Sequence, residues 1–457
     1  MQSAELTFAR AIAEDVHARG GRALVVGGYV RDQLLGHPSK DIDLEVFGVP
    51  ADDLKALLAR FGAVNTVGES FTVFKVQGLD VSLPRRESKV GRGHKGFVVH
   101  GDPFLPFDEA ARRRDFTINA IGWDPRTGEY LDPHGGRADL EARVLRMVDA
   151  RTFGEDSLRV LRALQFAARF GCRVDEATAG VCRATPLDDL PAERVWGELE
   201  KLLLRSPRPS VGLHLARDLD VVGRLWPTLE ALARCPQDPE WHPEGDVWTH
   251  TCMVVDEAAT RKAAFTHPEQ VALMLGALLH DIGKPLVTAE IDGRIKSPGH
   301  EGEGVPLATA LLDAWQVHTL EGYPVRAQVL ALVAWHMLPG AWWKAPEPVS
   351  DGAFRRLARK VDMVLLARLS EADCNGRGGT FDCSFGQWFL DRVAALGVEH
   401  APPAPLLLGR HLIALGVAPG PRMGEILKAV YEQQLDGAVT TLEEAIDAAR
   451  GNLKFDS

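Results

Sequence analysis

The sequence of 457 residues predicts an α+β protein, in which a mixed head of strands and helices precedes a longer, all-helical part. In the head, strand-like patterns at 23–26 and 41–47 flank a glycine turn and a short helix. Further along, the segments at 153–169 and 273–285 have the composition of helices. With 46% hydrophobic residues, the chain can bury several cores.

The first predicted elements are a buried strand at 23–26, a tight turn at Gly27 and Gly28, and a helix at 29–35 that Gly36 ends. Backbone N–H groups at a helix N-terminus attract anions. Because glycine has no β-carbon, a triphosphate can approach such a turn closely. The turn is therefore a candidate phosphate site.

The next strand carries Asp41 and Asp43 in a run, 41–47, that alternates like a half-buried strand. Residues two apart share a face, so both carboxylates should point the same way. Beside a phosphate site they can hold Mg²⁺, which activates an attacking hydroxyl and stabilises leaving pyrophosphate. An isolated Asp-x-Asp is more often a solvated strand, but the combination indicates nucleotidyl transfer. The turn lacks the third spaced glycine of a dinucleotide-binding motif.

Two strings resemble a known family. Residues 27–36 followed by 41–43 resemble the DNA polymerase β-type nucleotidyltransferases, in the branch of tRNA nucleotidyltransferases and bacterial poly(A) polymerases, and Arg-Arg-Asp-Phe-Thr-Ile-Asn-Ala at 113–120 resembles the tRNA enzymes. The resemblance implies a polymerase β-like head with Arg114 and Asp115 at the incoming nucleotide. It also implies a third carboxylate on a neighbouring strand, for which Asp80 is the candidate.

The segment 85–114 contains eight Lys or Arg residues against four acidic ones, and several glycines. This composition predicts a mobile basic loop that could steer a polyanion or close over a triphosphate, although a merely solvated loop would look similar. The family resemblance implies that 87–112 reorganises between C and A addition. The net charge of −11 argues against nonspecific coating of nucleic acid.

The segment 153–169 is predicted as one helix with Asp156, Arg159 and Arg162 along one side. These residues could simply form i,i+3 ion pairs worth about 0.2–0.5 kcal/mol. Glu-Asp-x-x-Arg here also resembles the family's amino-acid template, which implies that Asp156 accepts the amine shared by C and A while Arg159 donates to the ring. Gln165 replaces an arginine of close relatives, which weakens one triphosphate contact.

The second half has histidines and carboxylates at the spacing of metal ligands. The apolar helix at 273–285 carries a His-Asp pair near its end, which is costly to bury without partners. The pair resembles the HD phosphohydrolase signature, which implies a divalent cation (Mg²⁺, Ni²⁺ or Mn²⁺) and hydrolysis of a phosphate monoester or 2′,3′-cyclic phosphate. The implied ligands are His250, His280, Asp281 and Asp373, and a second metal or a substrate phosphate would suit His300 and His336.

No stretch of about 18 apolar residues is present, so we expect no membrane segment and a cytoplasmic protein. The six cysteines show no Cys-x-x-Cys spacing and are expected to be reduced thiols in a reducing compartment.

The predicted domains are a nucleotidyltransferase head at 1–149, a helical neck at 150–230, an HD domain at 231–375 and a helical tail at 376–457. The resemblance extends to about residue 400 and is close to the proteobacterial multifunctional CCA-adding enzymes. It implies addition of CCA to the tRNA 3′ end from CTP and ATP, by a monomer or homodimer. The assigned residues are Asp41, Asp43 and Asp80 for catalysis with Mg²⁺, Gly28, Arg31, Arg114, Asp115 and Arg162 for the nucleotide, and Asp156 and Arg159 for the base.

Three alternatives remain open. A poly(A) polymerase shares the head strings, although the HD constellation argues against it. An enzyme that adds only A fits the long basic segment, whereas an enzyme that adds only CC typically has a shorter one. Finally, the HD domain could be the sole active centre, with the head serving as an RNA-binding module.

Overall fold

A computed structural model describes residues 4–39, 41–67, 73–89 and 97–454. Over these ranges the chain forms two compact units, divided between Leu225 and Trp226. The first unit contains a mixed sheet with helices, and the second is helical apart from one small hairpin. The predicted α+β class is confirmed. None of the helices in the described ranges is both long enough and apolar enough to cross a membrane. The four-domain division stays a prediction.

The strands of the head are β1 (Arg22–Val26), β2 (Asp43–Phe47), β3 (Asn65–Val67), β4 (Val73–Val76), β5 (Leu79–Ser82), β6 (Arg85–Lys89), β7 (Phe97–Gly101), β8 (Gly122–Trp123) and β9 (Tyr130–Leu131). Seven of them form one sheet in the order β3-β4-β5-β2-β1-β8-β9. Strand β1 is antiparallel to β2, and β2 is parallel to β5.

Strand β2 lies in the middle of this sheet. Only its first residue, Asp43, is exposed, and the four residues that follow are buried. The predicted half-buried alternation is therefore wrong for 44–47, because β1 and β5 flank the strand and both of its faces are covered. The fully buried Glu45 is the consequence that matters for the site.

The head helices are α1 (Ala4–His17), α2 (Gly28–Leu34), α3 (Ala51–Leu58), α4 (Phe107–Arg112) and α5 (Gly136–Glu141). Apolar residues of α1 and α3 share one core with the sheet, which explains how two amphipathic helices are held against it. Helix α2 begins one residue earlier than predicted, and Gly36 follows it with φ 72°. The strand–turn–helix prediction is otherwise confirmed.

Much of the predicted basic loop is regular structure. Strands β6 and β7 pair from Arg85 with Gly101 to Lys89 with Phe97, and α4 follows. Residues 90–96 lie outside the described ranges. The loop prediction is wrong for 85–89, 97–101 and 107–112, because cross-strand pairing is a tertiary property that charge composition does not reveal.

The first unit continues with β10 (Val144–Leu145), β11 (Arg173–Val174) and six helices, α6 (Ala150–Phe153), α7 (Leu158–Phe170), α8 (Glu176–Ala184), α9 (Ala192–Arg205), α10 (Pro209–Asp218) and α11 (Val221–Leu225). The single helix predicted at 153–169 is thus broken between α6 and α7. Asp149 caps α6 through the Arg151 N–H, and that short helix ends before Gly154. Asp156 consequently lies in the turn before α7 rather than on its face.

The helices of the second unit are α12 (Pro227–Glu230), α13 (Val247–Arg261), α14 (His267–Leu279), α15 (Lys284–Val287), α16 (His300–Ala314), α17 (Val325–Trp335), α18 (Leu338–Trp343), α19 (Asp351–Leu357), α20 (Met363–Asn375), α21 (Phe385–Leu396), α22 (Gly409–Ala414), α23 (Pro421–Leu435) and α24 (Leu442–Lys454). Strands β12 (Ala289–Ile291) and β13 (Arg294–Lys296) form a hairpin. The predicted apolar helix is α14, which starts in a capping box of Thr266 and Glu269 and ends just before His280.

The C-terminal helices α22, α23 and α24 have an apolar cluster of their own, from Leu407 to Ala449. Preceding them, Cys374 and Cys383 form a disulfide. The expectation that all six cysteines are free is wrong for this pair, because the chain turns back after α20 and brings together two residues nine positions apart. The other four cysteines are buried thiols outside this disulfide.

Candidate functional site

The three predicted catalytic carboxylates lie around the start of β2. Asp43, at the start of β2, is the register partner of Asp80 on β5, and Asp41 lies just before β2. Although Asp43 is exposed, desolvation by the residues around its carboxylate raises its pKa, and the charges of Asp80 and Asp41 raise it further against the opposing charge of Arg114. Carboxylate oxygens are the ligands that Mg²⁺ prefers, so these residues supply suitable donors for such a cation. Nζ of Lys75 lies 2.8 Å from Oδ1 of Asp80 and forms an ion pair with it.

Glu45 is a functional candidate that the sequence reasoning missed. Its carboxylate is fully buried and contacts Arg113 at 2.7 Å and Arg114 at 3.5 Å. Burial alone would raise the pKa of Glu45, but the two guanidinium groups hold it below its usual range. Alternation along β2 could have suggested that Glu45 shares the face of Asp43. Its contacts position Arg114 close to the Asp43 carboxylate.

Side chains at the glycine turn would contact two arginines. Gly27 has φ 74°, and a Cβ built there would lie 3.1 Å from Nη1 of Arg114. Gly28 begins α2, and a Cβ there would lie 3.4 Å from Nη2 of Arg31. The predicted phosphate turn therefore lies between two arginines, and the absence of a Cβ at both positions leaves its backbone open to a ligand.

A chain of hydrogen bonds joins the head to α7. Arg31 donates to Oδ1 of Asn119 at 2.7 Å, and Asn119 donates to Oδ1 of Asp115 at 2.9 Å. Arg162 donates to Oδ2 of Asp115 at 2.6 Å. Burial would raise the pKa of Asp115, but Arg162 and Asn119 hold it below its usual range. Asn119 thus links the side chains of Arg31 and Asp115.

Asp156 and Arg159 have protein partners that the helix pattern did not predict. Asp156 pairs with Arg194 of α9 through both carboxylate oxygens, at 3.1 and 3.2 Å. Arg159 donates to the carbonyl oxygens of Thr152 and Arg113. The i,i+3 ion pairs considered above are not formed among these residues. Each side chain keeps hydrogen-bonding capacity, since a carboxylate has about four acceptor sites and a guanidinium five donors.

These residues line one cleft of about 430 Å³ in the first unit. Gly28, Arg31, Asp43, Arg114, Asp115, Asp156, Arg159 and Arg162 all contribute to it, so the structure brings together every predicted nucleotide residue. Further cations that the sequence reasoning missed are Arg169, Lys201 and Arg205. Gln165 also lines the cleft, buried at 1% exposure, and its Nε2 has no hydrogen-bond partner within the described ranges.

The predicted HD ligands also converge, within the second unit. Nε2 of His250 lies 3.0 Å from Asp373 and 3.8 Å from Asp281. Nε2 of His280 lies 3.2 Å from Asp281, and the same aspartate contacts Nε2 of His300 at 3.2 Å and Nε2 of His336 at 3.8 Å. Asp281 therefore belongs to two ligand groups, one with His250 and His280 and one with His300 and His336.

Backbone carbonyls orient three of these imidazoles. Nδ1 of His280, His300 and His336 each lies 2.9 Å from the carbonyl oxygen three residues earlier, which directs Nε2 towards Asp281. Burial and the neighbouring His280 and His300 lower the pKa of His336 to about 3, so its imidazole is neutral. Imidazole nitrogens grouped with carboxylate oxygens in this way fit one or two divalent cations.

Glu244 and Lys284 are further residues of this centre that sequence reasoning missed. Glu244 contacts Nδ1 of His250 at 2.8 Å, and Nζ of Lys284 lies 2.7 Å from Asp281. Close packing next to the His-Asp pair is possible because residue 283 is glycine, where a Cβ would collide with the carbonyl of His300.

Both halves match known families. Residues 23–146 match the poly A polymerase head domain, and residues 247–364 match the HD domain. The fold and the two sites thus define an enzyme with a nucleotidyltransferase head and an HD half. The multifunctional CCA protein of Xanthomonas oryzae is 38% identical over 88% of this chain and 95% of its own length. That of Pseudomonas aeruginosa is 36% identical over 93% and 95%.

The chain belongs to the family of multifunctional CCA proteins and is a tRNA nucleotidyltransferase of the CCA-adding class. Among solved structures, the CCA-adding enzyme of Bacillus stearothermophilus in complex with CTP aligns with TM-score 0.67 at 22% identity, over 100% of this chain and 99% of that one. The Thermotoga maritima enzyme complexed with tRNA aligns with TM-score 0.61 at 19% identity, over 99% and 96%. At these identities the two structures support the fold.

Proposed function

We propose that the protein adds C, C and then A to the 3′ end of tRNA from CTP and ATP, and releases pyrophosphate at each addition. The observation that carries this proposal is a single cleft. Asp43 lines it together with cationic side chains and with the two residues assigned to the base, Asp156 and Arg159. The names of the relatives and the nucleotide complexes of similar folds support the same reaction.

In this proposal Asp41, Asp43 and Asp80 hold Mg²⁺. When bound, the cation favours ionisation of the tRNA 3′-hydroxyl and neutralises charge on the leaving group. The 3′-oxygen bonds to the α-phosphorus while the bond from that phosphorus to pyrophosphate breaks. The raised pKa of Asp43 supports the assignment, because carboxylates crowded in this way need a compensating positive charge.

The triphosphate is held by the backbone of Gly28 and by arginines. Arg114 is fixed by Glu45, Arg162 by Asp115, and Arg31 by Asn119. Guanidinium groups already held by buried partners lose little conformational entropy when they bind phosphate, so they are suited to positioning it.

The base is chosen by Asp156 and Arg159. A carboxylate oxygen of Asp156 accepts from the exocyclic amine that cytosine and adenine share, and Arg159 donates to the adjoining ring positions. Guanine and uracil present a carbonyl where the amine would lie, so they cannot donate this hydrogen bond and would place two acceptors face to face. Arg194, which pairs with Asp156 through both oxygens, supports this role by fixing the carboxylate.

The HD centre is proposed as a phosphohydrolase for phosphate monoesters or 2′,3′-cyclic phosphates at damaged tRNA 3′ ends. His250, His280, Asp281 and Asp373 would hold a divalent cation, and His300 and His336 would hold a second cation or the substrate phosphate. Cations bound there supply Lewis-acid activation of the phosphate and of the attacking water. Lys284, 2.7 Å from Asp281, supplies a further positive charge to the substrate.

The test is extension of tRNA on a gel, with each nucleoside triphosphate supplied separately and then CTP and ATP together. A tRNA that ends at the discriminator base should gain two C and one A, and a tRNA that ends in CC should gain one A. Addition of A alone would indicate an A-adding enzyme, and a long A tract a poly(A) polymerase.

Two variants separate the activities. Asp41→Ala should abolish incorporation and leave phosphomonoester hydrolysis intact, whereas Asp281→Ala should do the reverse. Loss of both activities in either variant would contradict the assignment of two independent centres.

A further inference from the structure

Part of the head cleft carries more positive than negative charge. Five cations line it, Arg31, Arg162, Arg169, Lys201 and Arg205. Within the described ranges, their ion pairs are formed with three carboxylates, Asp32, Asp115 and Glu198. Like charges gathered in a cleft repel one another until an anion lies between them, so the excess favours binding of an anion.

Arg169 is poorly balanced by its protein partners. Its Nη2 lies 3.7 Å from Oδ2 of Asp32, and the other oxygen of Asp32 already pairs with Arg31 at 2.7 Å. Burial lowers the pKa of Arg169, and the charges of Arg31 and Arg205 lower it further against the opposing charge of Asp32. A cation placed among other cations in this way has an electrostatic need for a further negative group.

A buried amide faces the same cleft. Gln165 lies on α7 one turn before Arg169 and is 1% exposed. Its Nε2 finds no hydrogen-bond acceptor in the part of the chain that the structure describes. A buried donor left without an acceptor costs free energy, which an acceptor oxygen of a ligand would recover. The guanidinium groups and the amide thus call for the same partner, the oxygens of a phosphate.

The ring of Phe170 orders two of the guanidinium groups. Cζ of Arg31 lies 4.4 Å from the ring centroid, and Cζ of Arg169 lies 4.9 Å from it. Phe170 is itself buried in the last turn of α7. Cations that are held against an aromatic face before a ligand arrives lose less conformational entropy on binding it.

We propose that Arg169, Arg205 and Gln165 form a subsite for the terminal phosphate of the incoming nucleoside triphosphate, with Lys201 as a further positive charge. This inference rests on the proposed nucleotide addition. It goes beyond that function by naming the residues that distinguish a triphosphate from a diphosphate.

Two relationships favour the terminal phosphate over a backbone phosphate of tRNA. Arg31 borders Gly28 in the glycine turn, and Asp32 links Arg31 to Arg169. A triphosphate whose inner phosphates lie at the turn would therefore place its outer phosphate beside Arg169. The subsite contacts no base, so its contribution should be equal for CTP and ATP.

The first test compares binding of CTP and CDP by calorimetry, with Mg²⁺ and without tRNA. The two ligands differ only in the terminal phosphate. The ratio of the Kd for CDP to the Kd for CTP should fall about 10- to 100-fold in Arg169→Gln and less in Arg205→Gln, because Arg205 is exposed. ATP and ADP should show the same fall. Arg208→Gln is the matched control, because it removes an equal charge from a residue that precedes α10 and is not part of the cleft lining.

The second test is rescue. Arg169→Lys should keep part of the ratio, since the charge remains while the guanidinium fork is lost. Gln165→Arg in the Arg169→Gln background returns a guanidinium to the same side of α7 and should restore most of the ratio. Melting temperatures of all variants separate loss of binding from loss of folding.

Equal weakening of CTP and CDP binding by Arg169→Gln would overturn the subsite. Weaker binding of tRNA with an unchanged ratio would also overturn it and assign these cations to the tRNA backbone. If wild type binds CTP more tightly than CDP through Arg169 but adds no nucleotide to tRNA, the subsite stands and the proposed function is contradicted.

Discussion

The Asp115 carboxylate accepts a 2.6 Å hydrogen bond from Nε of Arg162, which lies 47 residues further along the chain. Asp115 belongs to the Arg-Arg-Asp string and Arg162 to α7, so this ion pair joins two separate motifs at one cleft. The carboxylate is almost fully buried and also binds Asn119, which in turn binds Arg31. The nucleotide site is therefore held by a network and not by isolated side chains.

Asp115→Asn should lower kcat/KM for CTP about 10- to 100-fold, because Arg162 loses the charge that orients it, a loss of about 1.5–3 kcal/mol. Primer extension with Asp115→Asn, Arg162→Gln and the double variant gives a mutant cycle. We expect a coupling energy of about 1–3 kcal/mol. Additive effects would show that the two residues act separately.

Gly27→Ala should cost activity as well as stability, whereas Gly36→Ala should cost stability alone. Both residues have positive φ, 74° and 72°, so alanine is strained by about 1–2 kcal/mol at each. Only at Gly27 would the Cβ lie 3.1 Å from Arg114. Thermal unfolding and single-nucleotide extension measure the two effects. Equal extension rates in the two variants would contradict a close approach of the triphosphate to Gly27.

Gln165→Leu should stabilise the protein without nucleotide and weaken nucleotide binding. It removes a buried Nε2 that has no partner, which in the free protein costs about 1–3 kcal/mol. The same amide is available to a phosphate or ribose oxygen in the cleft, so KM for CTP and ATP should rise about 3- to 10-fold. An unchanged KM would assign Gln165 to packing.

Asp43→Asn should abolish incorporation and yet raise the melting temperature at neutral pH in Mg²⁺-free buffer. The pKa of Asp43 is raised in the folded protein. Its contribution to stability is therefore fully present below the ordinary aspartate pKa and is lost as the pH rises through the pKa of the folded state. Asparagine does not ionise and so avoids that loss. The difference in melting temperature between Asp43→Asn and wild type should shrink as pH is lowered. A lower melting temperature for the variant at every pH would contradict a raised pKa of Asp43.

Asp281→Asn should reduce cation binding in the second unit more than His300→Ala or His336→Ala, because Asp281 belongs to both ligand groups. Metal analysis of dialysed protein should show up to two cations per chain in wild type, and the loss of one in either histidine variant. Extension of tRNA should be unaffected in all three. If wild type holds a single cation and both histidine variants retain it, His300 and His336 would instead be assigned to binding of the substrate phosphate.

Local sequence patterns determined several elements correctly. The apolar run before Gly27 became β1, Asp43 began the next strand, and His280 and Asp281 followed α14 directly. The physical reason is that burial periodicity, glycine turns and helix ends are properties of neighbouring residues. The same patterns failed at Glu45. Alternation predicts a strand with one buried face, and it did not mark this residue as buried.

The partners that complete the sites come from distant parts of the chain. Arg194 reaches Asp156 across 38 residues, and His250 meets Asp373 across 123. The hairpin of β6 and β7 and the disulfide at Cys374 likewise depend on where the chain returns. Local patterns in the sequence thus identify the chemical groups and the elements that carry them. Their pairing was decided by folding, because ion pairs, cross-strand register and shared metal ligands depend on distances between segments that are far apart in the chain.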